Sequence, residues 1–458
     1  MVFAPGALAG PLTVGFGASD ITPGLGGKPV FLAGFGHNRK ATEIHTRLAA
    51  RAVVLADGES KVAIVSADVV GLFLPDVQKV RGRLPGFTHV IVTATHNHHG
   101  PDTMGLWGTN PFVSGVDVEY MRLLLDRLVE AVQSAERSAV AATAVIGSVD
   151  LPELLVDTRD PQIKHETLVA IQFRDARTRT PVGVVVQWNC HPETLASGSS
   201  RLSADYVAAT CEKLTERYKC PTVYLTGTVG GLMTSMRVPV RSAAGEPLPE
   251  GSVEKTERFG VLVGEAAIRA LERPENVELT PIESRTRSIL LPVDNPVYKL
   301  AKQFRVLDRE MEPWAGNPDA PRLVTEKIEG RPAIRSEIGY LRLGELDVAV
   351  IPGEIYPELV LDKVPDPAPA GADFPDAARE PAIYGGLSGR FKILIGLGND
   401  EIGYIIPKRQ WDEKPPFTYG RTKPPYGEIN SLGPDTAPII CEAFRQLARP
   451  KNRTRSGT

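Results

Sequence analysis

Residues 89–102 read HVIVTATHNHHGPD. The run Val90-Ile91-Val92-Thr93 is apolar and β-branched, the signature of a short buried strand, and His96, His98 and His99 stand immediately beyond it. Sheets flanked by helices commonly present their chemistry at such strand ends. Three of the chain's eight histidines fall within four residues, which concentrates imidazole at one point. Neutral imidazole is a common zinc ligand, and the two-residue spacing of His96 and His98 puts both rings on one side of an extended backbone. A polar loop whose histidines hydrogen-bond for structure explains the same letters, so the rest of the chain has to decide.

Upstream, TVGFGASDITP (13–23) reads as an edge strand and a turn. IHTRLAARAVVLAD (44–57), a turn at Asp57-Gly58 and VAIVSAD (62–68) read as a hairpin feeding the sheet. Asp68 ends a buried strand, a position from which a carboxylate orients a ligand. Downstream, residues 117–137 and 254–273 repeat their apolar positions every 3.6 residues and predict helices, as does 202–218, which opens on a Ser-Ala-Asp cap. Strands are expected at 144–149, 167–173, 181–189 and 222–227, with a closing helix at 435–447. The expected fold class is α/β: a large mixed β-sheet core with flanking helices and long Gly/Pro-rich active-site loops. The 43 glycines and 39 prolines supply those loops.

Further strand ends carry possible ligands. PVGVVVQWN delivers His191, followed by Pro192, whose fixed φ makes the position rigid. LDVAV delivers Pro352-Gly353-Glu354 ahead of a helix, and that helix's positive end favours an ionised carboxylate. FKILIGLGNDEIGYIIP delivers Tyr404 after a turn at Asn399-Asp400. Nitrogen and oxygen donors of this kind suit one catalytic zinc with room for water. Two histidines and a carboxylate also suit an iron oxygenase, and zinc that merely ties strands together is a third use of the same residues.

The bulk numbers bound the rest. The 458 residues suit a single domain over 10–450, with insertions at about 303–332 and 361–385 and a disordered basic tail at 451–458. A net charge of −3 and a pI near 6.3 give no reason to expect nucleic acid or an anionic membrane as partner. Four cysteines without a CxxC pair argue against a thiolate metal site, although a Cys211–Cys220 bridge is open. No stretch reaches 18 apolar residues and the N-terminus lacks a basic, then apolar, leader, so a cytoplasmic protein without integral membrane segment is expected.

An ordered set of motifs resembles the neutral ceramidases: VGFGASDITP, IHTRLAARAVV, VSAD, TATHNHHGP, WNCHPET followed by LSADY, PGE, and GLGNDEIGY followed by YGEINSLGP. The resemblance covers most of the chain. It implies zinc bound by His96, His191, Glu354 and Tyr404, with Tyr404 also in reach of the oxyanion. It implies further that His98 acts near the leaving group, that Arg159 binds substrate, and that the substrate is a small acyl compound cleaved at an amide. His99 replaces a small serine of the family, which points to altered specificity. The family's GDxSPN motif departs here to Gly230-Gly231-Leu232-Met233-Thr234-Ser235, putting Met233 at a serine tied to amide hydrolysis. Methionine transfers no proton, so a zinc esterase or lactonase is the alternative, unless Thr234 or Ser235 takes the serine's place. The larger members' C-terminal immunoglobulin-like domain is not expected.

Overall fold

The computed structural model describes residues 10–323 and 328–450; the expected tail at 451–458 lies outside them. The main sheet has nine strands. In chain order they are β1 (Thr13–Asp20), β2 (Ala49–Ala56), β3 (Lys61–Ala67), β4 (His89–Ala94), β5 (Val140–Asp150), β6 (Thr167–Asp175), β7 (Pro181–Trp188), β8 (Thr222–Thr226) and β9 (Glu275–Val277). Their order across the sheet is β8-β7-β6-β5-β1-β2-β3-β4, with β9 beside β5. A second sheet runs β10 (Ile282–Pro292), β11 (Pro332–Leu343), β12 (Leu346–Val350), β13 (Phe391–Ile395). The parallel pairs among these long strands are β3–β4, β7–β8 and β12–β13. The rest of the ladder is antiparallel, so the sheet core is mixed, as expected.

The two ends of the main sheet meet. Thr226 Oγ1 donates to Thr95 O at 2.7 Å, joining the last residue of β8 to the residue that follows β4. The second sheet closes on β4 as well: Asn399 N donates to Val92 O (2.7 Å), Val92 N donates to Asn399 Oδ1 (3.1 Å), and Thr93 Oγ1 donates to Gly396 O (2.8 Å). Alternation sorts the side chains. Ile64, Ile91 and Val185 join Val348 and Ile393 of the second sheet in one core. Val90 and Val92 instead meet Leu124, Leu128 and Val132 of the helix Val118–Arg137, and Val184 and Val186 meet the helices Tyr206–Tyr218 and Val253–Ala270. The helix Thr436–Ala448 covers the second sheet. Among the described residues no helix is long and apolar enough to cross a membrane.

One expectation needs correcting, and one open question closes. β1 is central, paired with β2 on one side and β5 on the other. Its glycines are there for packing: a Cβ on Gly15 would sit 1.9 Å from Ala135 O, and one on Gly17 would sit 2.4 Å from Ala131 O, so the helix lies directly on the strand. The Cys211–Cys220 bridge does not form; all four cysteines are free and buried. The 303–332 stretch is partly folded in, since Val306 and Leu307 are buried and Glu312–Pro313 pairs with β11.

Candidate metal centre

The carboxyl ends of the three parallel pairs gather in one place. Beyond β4 the chain turns through His96 at φ 66°, a left-handed conformation costing about 1–3 kcal/mol in a side-chain-bearing residue and typical of functional sites. The turn aims the imidazole back, and its Nδ1 donates to Val70 O at 2.7 Å. Beyond β7, His191 Nδ1 donates to Met233 O, also at 2.7 Å. Asp205 steadies the loop that follows by accepting from Thr194 N and Leu195 N, both at 3.0 Å. Beyond β12, Glu354 pairs in parallel register with Tyr404, which follows β13.

Glu354 Oε2 lies 2.9 Å from His191 Nε2 and 3.3 Å from His96 Nε2. Each ring has already committed a proton at Nδ1 to a backbone carbonyl, and a carboxylate only accepts. Lone pairs therefore converge, buried, on a point that demands a cation, either protons or a metal. The electrostatics report that demand. Burial depresses the His96 imidazole, but Glu354 more than reverses it, and the two histidines overcome burial to hold the Glu354 carboxyl well below its usual range. His96, His98 and His191 each offer a ring nitrogen within 4.8 Å of the other two. The donor set fits a nitrogen- and oxygen-loving metal ion, and burial of all three rings suits a permanent site.

His98 stands at the side of this cluster, its ring edge-on to Phe35 at 5.1 Å between centroids. Gly34, at φ 90°, leaves the room: a Cβ there would be 2.2 Å from His98 Cγ. His98 Nδ1 faces Glu193 Oε2 at 3.3 Å. Burial pushes His98 down to about 4. Burial raises the Glu193 carboxyl, but His98 and His191 outweigh it and bring it down to about 2. Glu193 went unread in the sequence; the available signal was a carboxylate two residues past a candidate ligand, in His191-Pro192-Glu193.

A cleft of about 460 Å³ opens beside the centre, lined by Phe35, His98, His191, Glu193, Thr234 and Tyr404, with Arg237 and Tyr426 also on its walls. That size falls within the range of small-molecule sites. Burial, and then the Glu354 carboxylate beside it, push the Tyr404 phenol well above its ordinary range. Tyr426 is a second residue that sequence reasoning left unassigned; its ring lies 6.0 Å from that of Tyr404.

Other candidates lie elsewhere. Asp68 is fully buried in an ion pair with Arg51 (2.8 Å) and touches no candidate ligand. His99 points away, Nε2 donating to Ala196 O at 3.1 Å. Arg159 does not line the cleft: its guanidinium grips Glu428 with two 2.7 Å bonds and donates to Gln410 O. Met233 is wholly buried and acts through its carbonyl, whereas Thr234 reaches the cleft wall. Ser235 is buried, accepting from Thr194 Oγ1 and donating to His191 O. Gly230 is required, because a Cβ would lie 2.4 Å from the carbonyl carbon of Ile355.

No family model and no curated protein sequence matches the chain. Solved structures do. The crystal structure of neutral ceramidase from Pseudomonas aeruginosa aligns with a TM-score of 0.70 at 16% identity, covering 96% of this chain and 74% of its own. A second ceramidase structure, solved as a complex, gives 0.68 at 15% identity, covering 96% and 75%. At such identities the likeness is one of fold, and over almost its whole described length this chain has the fold of the neutral ceramidases, the family its ordered motifs resemble.

Proposed function

We propose that this protein is a zinc-dependent hydrolase that cleaves the amide bond of an N-acyl substrate, ceramide-like or smaller. The observation that carries the reading is the Glu354 carboxylate oxygen facing two imidazole nitrogens, one of them from His191 on the wall of a cleft, in a chain with the neutral ceramidase fold. His96, His191, Glu354 and Tyr404 are the residues that would hold the metal. Bound there, zinc supplies a Lewis acid for the substrate carbonyl and a lowered pKa for water.

The chain's own groups supply the rest. His98, neutral near pH 7 and clamped by Gly34 and Phe35, takes a proton from the attacking water and passes it to the departing amine. The Glu193 carboxylate faces the Nδ1 edge of His98 at 3.3 Å and favours a proton there. The Tyr404 phenol, on the cleft wall beside Glu354, would lie at the metal next to the developing oxyanion. Arg159 acts at a distance, fixing through Glu428 the segment that carries Tyr426.

An amide needs more help to expel its leaving group than an ester does. Thr234 on the cleft wall, rather than Met233, stands where a hydroxyl could give it, which favours amide cleavage over the esterase or lactonase reading. The test is a panel of N-acyl amines against matched esters with zinc-loaded protein. Amide turnover at efficiencies comparable to the esters supports the proposal, turnover of esters alone supports the alternative, and no turnover of either with full zinc removes both.

A further inference from the structure

The cleft beside the metal centre carries one unmatched charge. Among the described residues Arg237 is the only lysine or arginine on its walls, and Glu193 is the only carboxylate. Glu193 is committed to His98 at 3.3 Å. The Arg237 side chain is exposed and pairs with no carboxylate among the described residues. Glu250 accepts from the Arg237 backbone N at 3.3 Å, but its charge is taken by the buried Lys255 ammonium, 2.6 Å away. An arginine on open surface needs no explanation, since water solvates it. This one shares a cleft with His191 and Tyr404, and the walls of a cleft focus its field on whatever enters.

The backbone is held in place against its own preference. Arg237 has φ 65°, a left-handed conformation that glycine or asparagine adopts more easily. Both flanks are anchored. Thr234 bridges to His191, Ser235 Oγ donates to His191 O, and Val238 is fully buried with its N donating to Ser235 O at 3.3 Å. The segment that fixes the His191 ring through Met233 O therefore also carries the guanidinium to the cleft. Strain of this kind persists where the surroundings impose it, and it clusters at ligand sites.

The two spaces that meet at the centre differ in chemistry. A side cavity reaching His96 and Glu354 is lined by Met104, Leu106 and Trp107, which suits an acyl chain. The cleft holds His98, Glu193, Thr234 and Arg237, which suits a polar leaving amine. We propose that the substrates are N-acyl amino acids, with Arg237 binding the carboxylate borne by the departing amine. The cleavage rests on the hydrolase reading, whereas the carboxylate site rests on the cleft's own charges. A guanidinium grips a carboxylate by two parallel hydrogen bonds. The reaction consumes one water: its oxygen joins the acyl carbon, the carbon–nitrogen bond breaks, one water proton goes to the nitrogen and the other leaves with the carboxylic acid. The products are a free acid and a free amino acid.

The experiment has a turnover arm and a binding arm. Zinc-loaded parent is assayed on N-octanoylglycine and on N-octanoylethanolamine, which replaces the carboxylate by a neutral hydroxymethyl group. Affinity is measured by calorimetry on the protein as purified, with the uncleavable sulfonamides N-octylsulfonylglycine and N-octylsulfonylethanolamine. The parent should favour the glycine compound in both arms by about 10–100-fold, the scale of a hydrogen-bonded charge. Arg237→Gln should bring that ratio close to one, and Arg237→Lys should restore part of it, with thermal melts matching the parent. Equal treatment of charged and neutral compounds by the parent, or a preference that Arg237→Gln leaves intact, overturns the proposal. So does faster turnover of the N-ethyl monoamide of octanedioic acid, whose carboxylate lies on the acyl side. Charge-selective binding that Arg237→Gln abolishes, without turnover of any amide, supports the carboxylate site and removes the hydrolase reading. Amide turnover without charge selectivity does the reverse.

Discussion

His191 Nε2 and Glu354 Oε2 face each other at 2.9 Å while Nδ1 of the same ring donates to Met233 O. With the ring's other nitrogen committed, nothing in the protein but an added cation reconciles the pair. His96 repeats the arrangement through Val70 O. Two backbone carbonyls thus fix the tautomers of two imidazoles, and a carboxylate from the second sheet completes the set. Joining the sheets at this point is what makes the centre.

Glu193→Gln keeps the size of the side chain and removes its charge beside His98. The expected outcome is a fall in kcat of about 10–100-fold, the usual scale for groups that orient a reacting or ligating histidine, with KM and zinc content unchanged. Steady-state kinetics and metal analysis on the same preparation decide it. An unchanged kcat would mean that His98 works without Glu193.

Arg159→Ala would strand the Glu428 carboxylate in the interior. Removing one partner of a buried pair costs about 3–5 kcal/mol, and Arg159→Lys should recover only part of it, because an ammonium cannot reproduce the two-bond grip. Equilibrium chemical denaturation measures both. A loss within the small range typical of surface changes would contradict the pair's role as the anchor of the Tyr426 segment.

Stability should fall as the pH drops below 6.5. Burial pushes His165 down to about 4 and His99 down to about 3. Both are neutral above pH 6.5 in the folded and unfolded chain alike, so stability is full there. Between 6.5 and the folded values the unfolded chain takes up protons that the folded chain refuses, and each histidine costs roughly 2 kcal/mol by pH 5. Glu193 adds to the loss only further down, as the pH falls below the ordinary carboxylate range toward about 2. Denaturant unfolding near neutrality and at about pH 5 should give a steeper loss for the parent than for His165→Gln. Equal losses would show that His165 titrates freely.

The strand ends were legible because each pairs a buried β-branched run with one abrupt polar residue, as in Val92 to His96 and Val350 to Glu354. The helices were legible from their period and from capping residues, Asp117 accepting from Glu119 N and Asp205 from Tyr206 N. The central place of β1 was not legible, because Gly15 and Gly17 are explained only by the helix that lies against them. Glu193 was not legible as a partner of His98, since the contact joins loops after β4 and β7 that alternation alone does not bring together. Arg159 carried a role implied by resemblance, but its direction is set by Glu428, 269 residues away in the chain. Thr234 reaches the cleft only because Leu232 turns through φ 64° after Gly231, a local reversal that the letters do not announce.

The central claim is the metal. The most direct measurement is zinc content by elemental analysis after exhaustive dialysis, for the parent and for His96→Ala and His191→Ala, with folding checked by circular dichroism. One zinc per chain in the parent and loss of it in both folded variants is the predicted result. A folded parent without stoichiometric metal, or variants that keep it in full, would contradict the assignment of these residues as its ligands.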